Sequence, residues 1–378
     1  MKIIVEEAVT GRILTRDLAP LKTPEVVRTL SGPSSIKLSV SPHEAEQYGI
    51  HFKAYGQIVH AEVVLQNGHR WIFASAIVQS ADVSAETGEI TISATGFSNY
   101  PDKIPWLDNW NPIAVDPFEV IHRIWNHVQS YPQGNLGVEV YPANSNTMLL
   151  PGFYYDGSKF NLDFFAYFVR AEDYRDCLQE ITSLCRDVPI DYFEESTWGP
   201  RQRTILKKIR LAYPRGGARQ ENLMFREREN VMSMAPAGEL EMDYASDVVV
   251  RGWFPGKMYS STLSNADPLR FRRVVREEDA LLNSRERSEV WCRRQLAKRQ
   301  VPYHWASISV DMDHPNAPFG TYDVGDDILI SGKLPSVGRR SEWHRILTMQ
   351  VDDVSGTVSM TTKHVDAFNY DPITFPER

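Results

Sequence analysis

Polar and apolar residues alternate through Ser34-Ser-Ile-Lys-Leu-Ser-Val-Ser41, which places Ile36, Leu38 and Val40 on one face of a half-buried strand. Pro42 is expected to end it. The run from Tyr55 to Leu65 reads as a second strand, Asn67-Gly68 is a strong short hairpin signal, and Trp71 to Val78 returns. A further hairpin follows from Asp82 to Tyr100, turning at Glu86-Thr-Gly88.

The same order comes back near the C-terminal end. Ile308, Val310 and Met312 alternate with Ser307, Ser309 and Asp311, and a proline again follows, Pro315. Val324-Gly-Asp-Asp-Ile-Leu-Ile330 stands where Tyr55-Gly-Gln-Ile-Val stood. Asp353-Val-Ser355 answers Asp82-Val-Ser84, and Phe368-Asn-Tyr370 answers Phe97-Ser-Asn-Tyr100. These landmarks keep one order over nearly equal spans, 36 to 100 and 308 to 370, so the pattern predicts two copies of one β unit.

Between the copies the period changes. Asp116-Pro-Phe-Glu119 supplies an N-cap, a proline at the first helical position and an acidic first turn, and Ile121, Ile124, Trp125 and Val128 follow at helical spacing. A helix is predicted over 116–130. A second is predicted over 171–187, with Tyr174, Cys177, Leu178, Ile181, Leu184 and Cys185 on one stripe and Pro189 beyond it. Strands are expected from Ile190 to Phe193 and from Thr204 to Tyr213, and a third helix over 284–299. The fold class is α+β and β-dominated: two similar antiparallel β units, 1–106 and 236–378, with an inserted α+β domain over 107–235.

Length and composition add limits. The chain of 378 residues has room for two or three cores, and 42% hydrophobic with 24% charged residues is ordinary for globular protein. The first residues alternate like a strand and lack a signal-peptide pattern, and no stretch approaches the ~20 apolar residues of a membrane span, so synthesis in a cytoplasm is expected. Cys177, Cys185 and Cys292 are too few and scattered for a disulfide framework or zinc site and read as core residues. With 41 basic and 49 acidic residues the net charge is −8, which argues against a phosphate-neutralising protein but suits a conduit that nucleic acid slides past.

No phosphate-binding, nucleophile-elbow or zincin motif is present, and no catalytic, cofactor-binding or metal-binding residue is assigned. Asp311, Asp313 and His314 come closest to a metal cluster, but Pro315 and Asn316 occupy positions where a calcium loop needs other residues. His122 and His127 lie five apart, off a common helical face. The arginines from Arg270 to Arg294 are interleaved with Glu277, Glu278, Asp279, Glu286 and Glu289, which points to ion pairs rather than to a nucleic-acid face. From Phe153 to Phe168 eight of sixteen residues are aromatic. Such a run serves either as packed core or as an interface or glycan contact, for which Phe153, Tyr154 and Tyr155 are the candidates.

The stretch from Arg203 to Val231, with Leu211-Ala-Tyr-Pro-Arg-Gly-Gly217, Phe225 and Asn230-Val231, resembles minor tail proteins of long-tailed phages that infect actinobacteria. So does the segment from Asp116 to Gly137, and the likeness covers most of the chain. Proteins of that group resemble the tail hub of the tail tip, or baseplate. The resemblance implies two tail-tube-like β-barrels per chain, a homotrimer, and a structural rather than enzymatic role. It also implies contacts with distal tail, tape measure and other minor tail proteins, DNA passing through the lumen, and a place at the virion tail tip after assembly in the host cytoplasm. A trimer of duplicated chains would present six similar units on one side and a true three-fold on the other. Two alternatives stay open: a receptor- or glycan-binding tail-tip module, and a tail-associated cell-wall hydrolase.

Overall fold

The computed structural model describes residues 1–378 except 111–113, 147–149, 152–153, 156–159, 162–168, 238–242, 255–256, 280–284 and 372–378. The first copy begins with β1 (Lys2–Glu7), β2 (Ile13–Leu18), β3 (Glu25–Thr29) and β4 (Ser35–Val40). Pro42 ends β4 by starting α1 (Pro42–Gln47), because Ser41 Oγ accepts the Glu44 N–H at 3.1 Å and caps the helix. Then come β5 (Gln57–Val64), the long β6 (Arg70–Val83) and β7 (Ile90–Gly96).

The segment between the copies holds β8 (Ala114–Val115), α2 (Pro117–Gln129), β9 (Val138–Tyr141) and three two-residue strands, β10 (Leu150–Pro151), β11 (Tyr154–Tyr155) and β12 (Phe160–Asn161). After these come α3 (Cys177–Asp187), β13 (Asp191–Trp198), β14 (Ile205–Ala212), β15 (Phe225–Arg226) and β16 (Val231–Pro236). Helix α2 starts as the sequence requires, with Asp116 accepting the Phe118 N–H at 2.8 Å. The helix expected over 171–187 is shorter. Tyr174 takes a left-handed φ of 46°, and Asp176 then caps α3 by accepting the Gln179 N–H. Ile121, Ile124, Trp125, Val128, Ile181 and Leu184 pack with Ile58, Ile77 and Phe97 of the first copy in one core.

Three strands that the hydropathy pattern did not reveal follow: β17 (Asp247–Phe254), β18 (Lys257–Ser264) and β19 (Val274–Asp279). They form a separate sheet in the order β18-β17-β19, and α4 (Arg285–Arg299) packs on it through Trp291, Cys292 and Leu296. The second copy finishes with β20 (Trp305–Asp311), β21 (Asp327–Leu334), β22 (Gly338–Asp352) and β23 (Thr357–His364).

Strand pairing shows the duplication directly. The first copy is ordered β3-β4-β7-β6-β5 and the second β16-β20-β23-β22-β21, antiparallel at every step. In each, one long strand pairs with a different neighbour along each half and slips register at a bulge. The slip falls between Val78 and Ser80 in β6 and between Ile346 and Thr348 in β22. The next strand, β7 or β23, runs directly into a 3-10 turn, Phe97–Asn99 or Val365–Ala367.

The ladders correct two of the sequence landmarks. Asp82 lies inside β6, opposite Thr91, whereas Asp353 has already left β22 for the turn. Val365, not Phe368, holds the place of Phe97, so Phe368 answers Tyr100. The Gly56 and Gly325 landmark agrees with the pairing of Ile58 to Ile77 and of Asp327 to Arg345.

Both copies belong to one 16-stranded sheet. One path through it runs β16-β20-β23-β22-β3-β4-β7-β6-β13-β14-β9. Among the described residues the ladders do not close on themselves, so the expected barrels are not seen as closed sheets. One core takes Val26, Ile36, Leu38 and Phe73 from the first copy and Ile308, Ile328, Met349 and Val358 from the second.

Candidate functional site

The copies are joined where β3 pairs with β22, Val26 opposite Val351 through Thr29 opposite Thr348. This ladder puts Arg28 inside the joint at 4% exposure. Its guanidinium grips Asp323 of the second copy with Nε to Oδ1 at 2.8 Å and Nη2 to Oδ2 at 2.9 Å. A third donor, Nη1, reaches the Phe73 carbonyl at 3.1 Å. The planar fork suits such a bidentate pair, and burial makes the pair costly to break.

Aromatic rings from both sides surround it. Trp71 and Phe73 of the first copy lie 5.3 and 5.8 Å from Phe319 of the second, and Tyr322 lies 6.3 Å from Phe319. Gly217 and Gly325, with φ of +78° and +87°, allow two backbones to touch, because a Cβ on Gly217 would overlap the Gly325 carbonyl.

A second clamp ties β22 to the inserted segment. Arg345, 1% exposed, bonds Asp191 and donates to the Gly216 carbonyl at 2.9 Å, while Asp191 accepts the Gly216 N–H at 2.7 Å. Phe368 and Tyr370 stack on each other and each stands 5.3 Å from this guanidinium. Burial lowers the Arg345 pKa even though the Asp191 charge works to raise it. Beside it, burial raises the pKa of Asp326, whose carboxylate accepts the Ala218 N–H and the Gln220 amide at 2.7 Å each.

A third polar row crosses five strands. Lys207 Nζ donates to Glu6 at 2.6 Å, Glu6 lies 3.3 Å from His60, His60 is 2.7 Å from Ser75 Oγ, and Ser75 donates to Ser196 at 2.8 Å. Burial lowers the His60 pKa. Burial pushes Glu6 upward, but the bond from His60 and the charges of His60 and Lys207 outweigh it and leave Glu6 lowered. Serine, histidine and glutamate are the parts of a nucleophile relay. Here Ser75, His60 and Glu6 are 2%, 0% and 1% exposed, and the hydroxyl is committed to Ser196, so no substrate reaches it. The row fastens β13 and β14 to the first copy.

The residues singled out from the sequence scatter over the molecule. Phe153 lies outside the described residues, while Tyr154 and Tyr155 pair with Asn161 and Phe160. Asp311 accepts the Asp313 N–H at 2.9 Å in a turn, and Gln66 holds Asp313. Among the described residues no group of three or more metal-ligating side chains is arranged to hold an ion. His122 and His127 are not free surface groups, since they bond the carbonyls of Pro142 and Pro105, 3.0 Å away in each case. Arg270, Arg272, Arg285 and Arg293 pair with Asp267, Asp247, Glu289 and Asp371. Cys177 and Cys292 are buried as expected, and burial raises Cys177 to about 12.

No protein-family model and no curated protein sequence matches the chain. Solved structures do. A 43 kDa tail protein of prophage MuSo2 from Shewanella oneidensis superposes with a TM-score of 0.61 at 12% identity, covering 97% of this chain and 99% of that one. A tail protein from Neisseria meningitidis MC58 gives 0.59 at 12% identity, with 97% of each chain covered. Prophage tail protein gp18 from Listeria monocytogenes EGD-e gives 0.54 at 15%, covering 96% of this chain and 94% of that one. Over nearly its whole length, the duplicated fold is therefore one that phage tail proteins share.

Proposed function

We propose that the chain is the hub of a phage tail tip, a homotrimer that adapts a six-fold tail tube to three-fold tip components. In this reading each copy of the repeat is a tail-tube-like barrel, and three chains supply a ring of six. The proposed divisions fall near residues 106 and 235, except that β16 (Val231–Pro236), which pairs with β20, is taken with the second barrel and moves the second division to its start. The carrying observation is the repeated strand order, β3-β4-β7-β6-β5 and β16-β20-β23-β22-β21, in a chain with the fold of phage tail proteins. Closed symmetry cannot change order without an adaptor, and an internal duplication supplies one. The net charge of −8 suits a lumen that passes DNA without holding it.

The resemblance extends the proposal to long-tailed phages of actinobacteria. In this reading the protein sits at the virion tip, is assembled in the host cytoplasm, and has distal tail, tape measure and other minor tail proteins as neighbours. Cryo-electron image averages of the purified chain or of the tail tip test this reading. A three-fold ring with six similar lobes is expected. A monomer at high concentration that also fails to join tail-tip neighbours overturns it. Cell-wall glycan binding lost in Tyr154→Ala and Tyr155→Ala would favour a receptor-binding module instead.

A further inference from the structure

The ladder that joins the two copies leaves two strand edges over. In the first copy β3 pairs with β4 on one side and with residues 348–351 of β22 on the other. Its counterpart β16 pairs with β20, and along its other edge carries only an isolated bridge from Glu227 to Val231 among the described residues. Residues 348–351 lie just past the bulge of β22 and pair with both β23 and β3. Their counterparts just past the bulge of β6, residues 80–83, pair among the described residues with β7 alone, because the β5 ladder ends at Ile77. One chain thus satisfies one such joint internally and exposes both halves of a second.

The chemistry of the two free edges matches. Val83 at the end of β6 is 66% exposed and Met232 on β16 is 69% exposed. A cleft of about 350 Å³ runs beside β16, lined by Met232, Met234, Trp305 and Pro335 among others. Methionine side chains adapt to an incoming apolar group. Arg228 and Lys333 stand exposed at this cleft; Glu227, which also lines it, accepts the Lys333 backbone N–H at 3.0 Å, and among the described residues neither the Arg228 guanidinium nor the Lys333 ammonium has an ion-pair partner. The hairpin that ends β6 carries the opposite charge, with Asp82 and Glu86 exposed and without cations. An exposed strand edge is a template for pairing with another chain.

We propose that β16 of one copy pairs antiparallel with residues 80–83 of the next, seating Val83 toward the Met232 and Met234 cleft and Asp82 and Glu86 toward Arg228 and Lys333. The partner is a second copy of this chain. The contact is head-to-tail, so each copy uses a different edge toward each neighbour, and repetition closes a ring. This inference rests on the reading of the chain as a ring subunit and names the edges that meet.

Two measurements test it. Chains carrying only Val83→Cys and chains carrying only Met232→Cys are mixed and treated with a short bismaleimide. Cross-linked dimers should form in the mixture and be at least tenfold scarcer in either variant alone. Separately, Arg228→Glu with Lys333→Glu, and Asp82→Lys with Glu86→Lys, should each weaken self-association at least tenfold at unchanged melting temperature. All four changes in one chain should restore it. A three-fold ring that forms without the mixed cross-link and ignores the charge reversals overturns the edge pairing and leaves the hub reading standing. A chain that stays monomeric and joins no tail neighbour overturns both.

Discussion

His344 is fully enclosed, with Nδ1 at 3.1 Å from the Glu342 carbonyl and its ring against Trp305, His304 and His364. Burial, with the neighbouring histidines adding to it, lowers its pKa from 6.5 to about 3. The sign follows directly. Below pH 6.5 the unfolded chain takes up a proton that the folded chain refuses, so stability is lost as pH falls from 6.5 toward 3. In urea denaturation His344 alone should contribute a drop in the unfolding free energy of up to about 1.4 kcal/mol per pH unit in this window. His344→Gln should flatten that slope, leaving the part due to His60, which burial also lowers. None of this was legible in the sequence, where nothing singles His344 out and its strand β22 was not expected. The Asp116 cap was legible, because donor and acceptor sit two residues apart. Arg28 and Asp323 are 295 positions apart, and no local pattern relates them.

At the scale of elements, periodicity located β4, β14, β20 and α2, because each buries one face. What it did not contain is register. The bulges at β6 and β22 are set by which strand lies alongside, so landmarks matched by residue type drifted by a few positions. The sheet β18-β17-β19 left no expectation in the sequence, since its core is small and only Val248, Val250 and Leu263 mark it. Helix α2 offers a direct check. Asp116 also accepts the Ser145 N–H and hydroxyl at 2.7 and 2.8 Å. Asp116→Ala should therefore cost about 1–2 kcal/mol, visible as a lower melting temperature by circular dichroism.

At the scale of the molecule, the two copies fold around one core, so the joint is part of the fold and not a docking of finished domains. Asp323→Ala strands the Arg28 guanidinium inside it and should cost about 3–5 kcal/mol in chemical denaturation. Arg28→Met combined with Asp323→Ala should cost less than Asp323→Ala alone, because no buried charge is left unmatched. The duplication itself was legible as an order of landmarks. The β3 and β22 ladder that makes the copies one sheet was not, because neither strand's own sequence names its second partner.

One turn of the repeat has been put to different use in the two copies. Between β3 and β4 the first copy turns within residues 30–34, whereas between β16 and β20 the second carries residues 237–304, a sheet and a helix. The chain leaves and re-enters through a narrow neck, with Pro236 opposite Trp305 and the Ala237 N–H bonded to the His304 carbonyl at 2.8 Å. Outside this neck the module also touches the C-terminal segment, where Arg293 and Arg294 of α4 bond Asp371 at 3.2 and 2.6 Å, so its removal exposes that contact and leaves the paired strands of the neck intact. Replacing residues 238–303 with the Leu30-Ser-Gly-Pro-Ser34 turn should leave a soluble chain with a cooperative thermal transition. In the same way, a foreign domain whose termini lie as close as Ala237 and His304 should be accepted at this position with the sheet beneath keeping its own order.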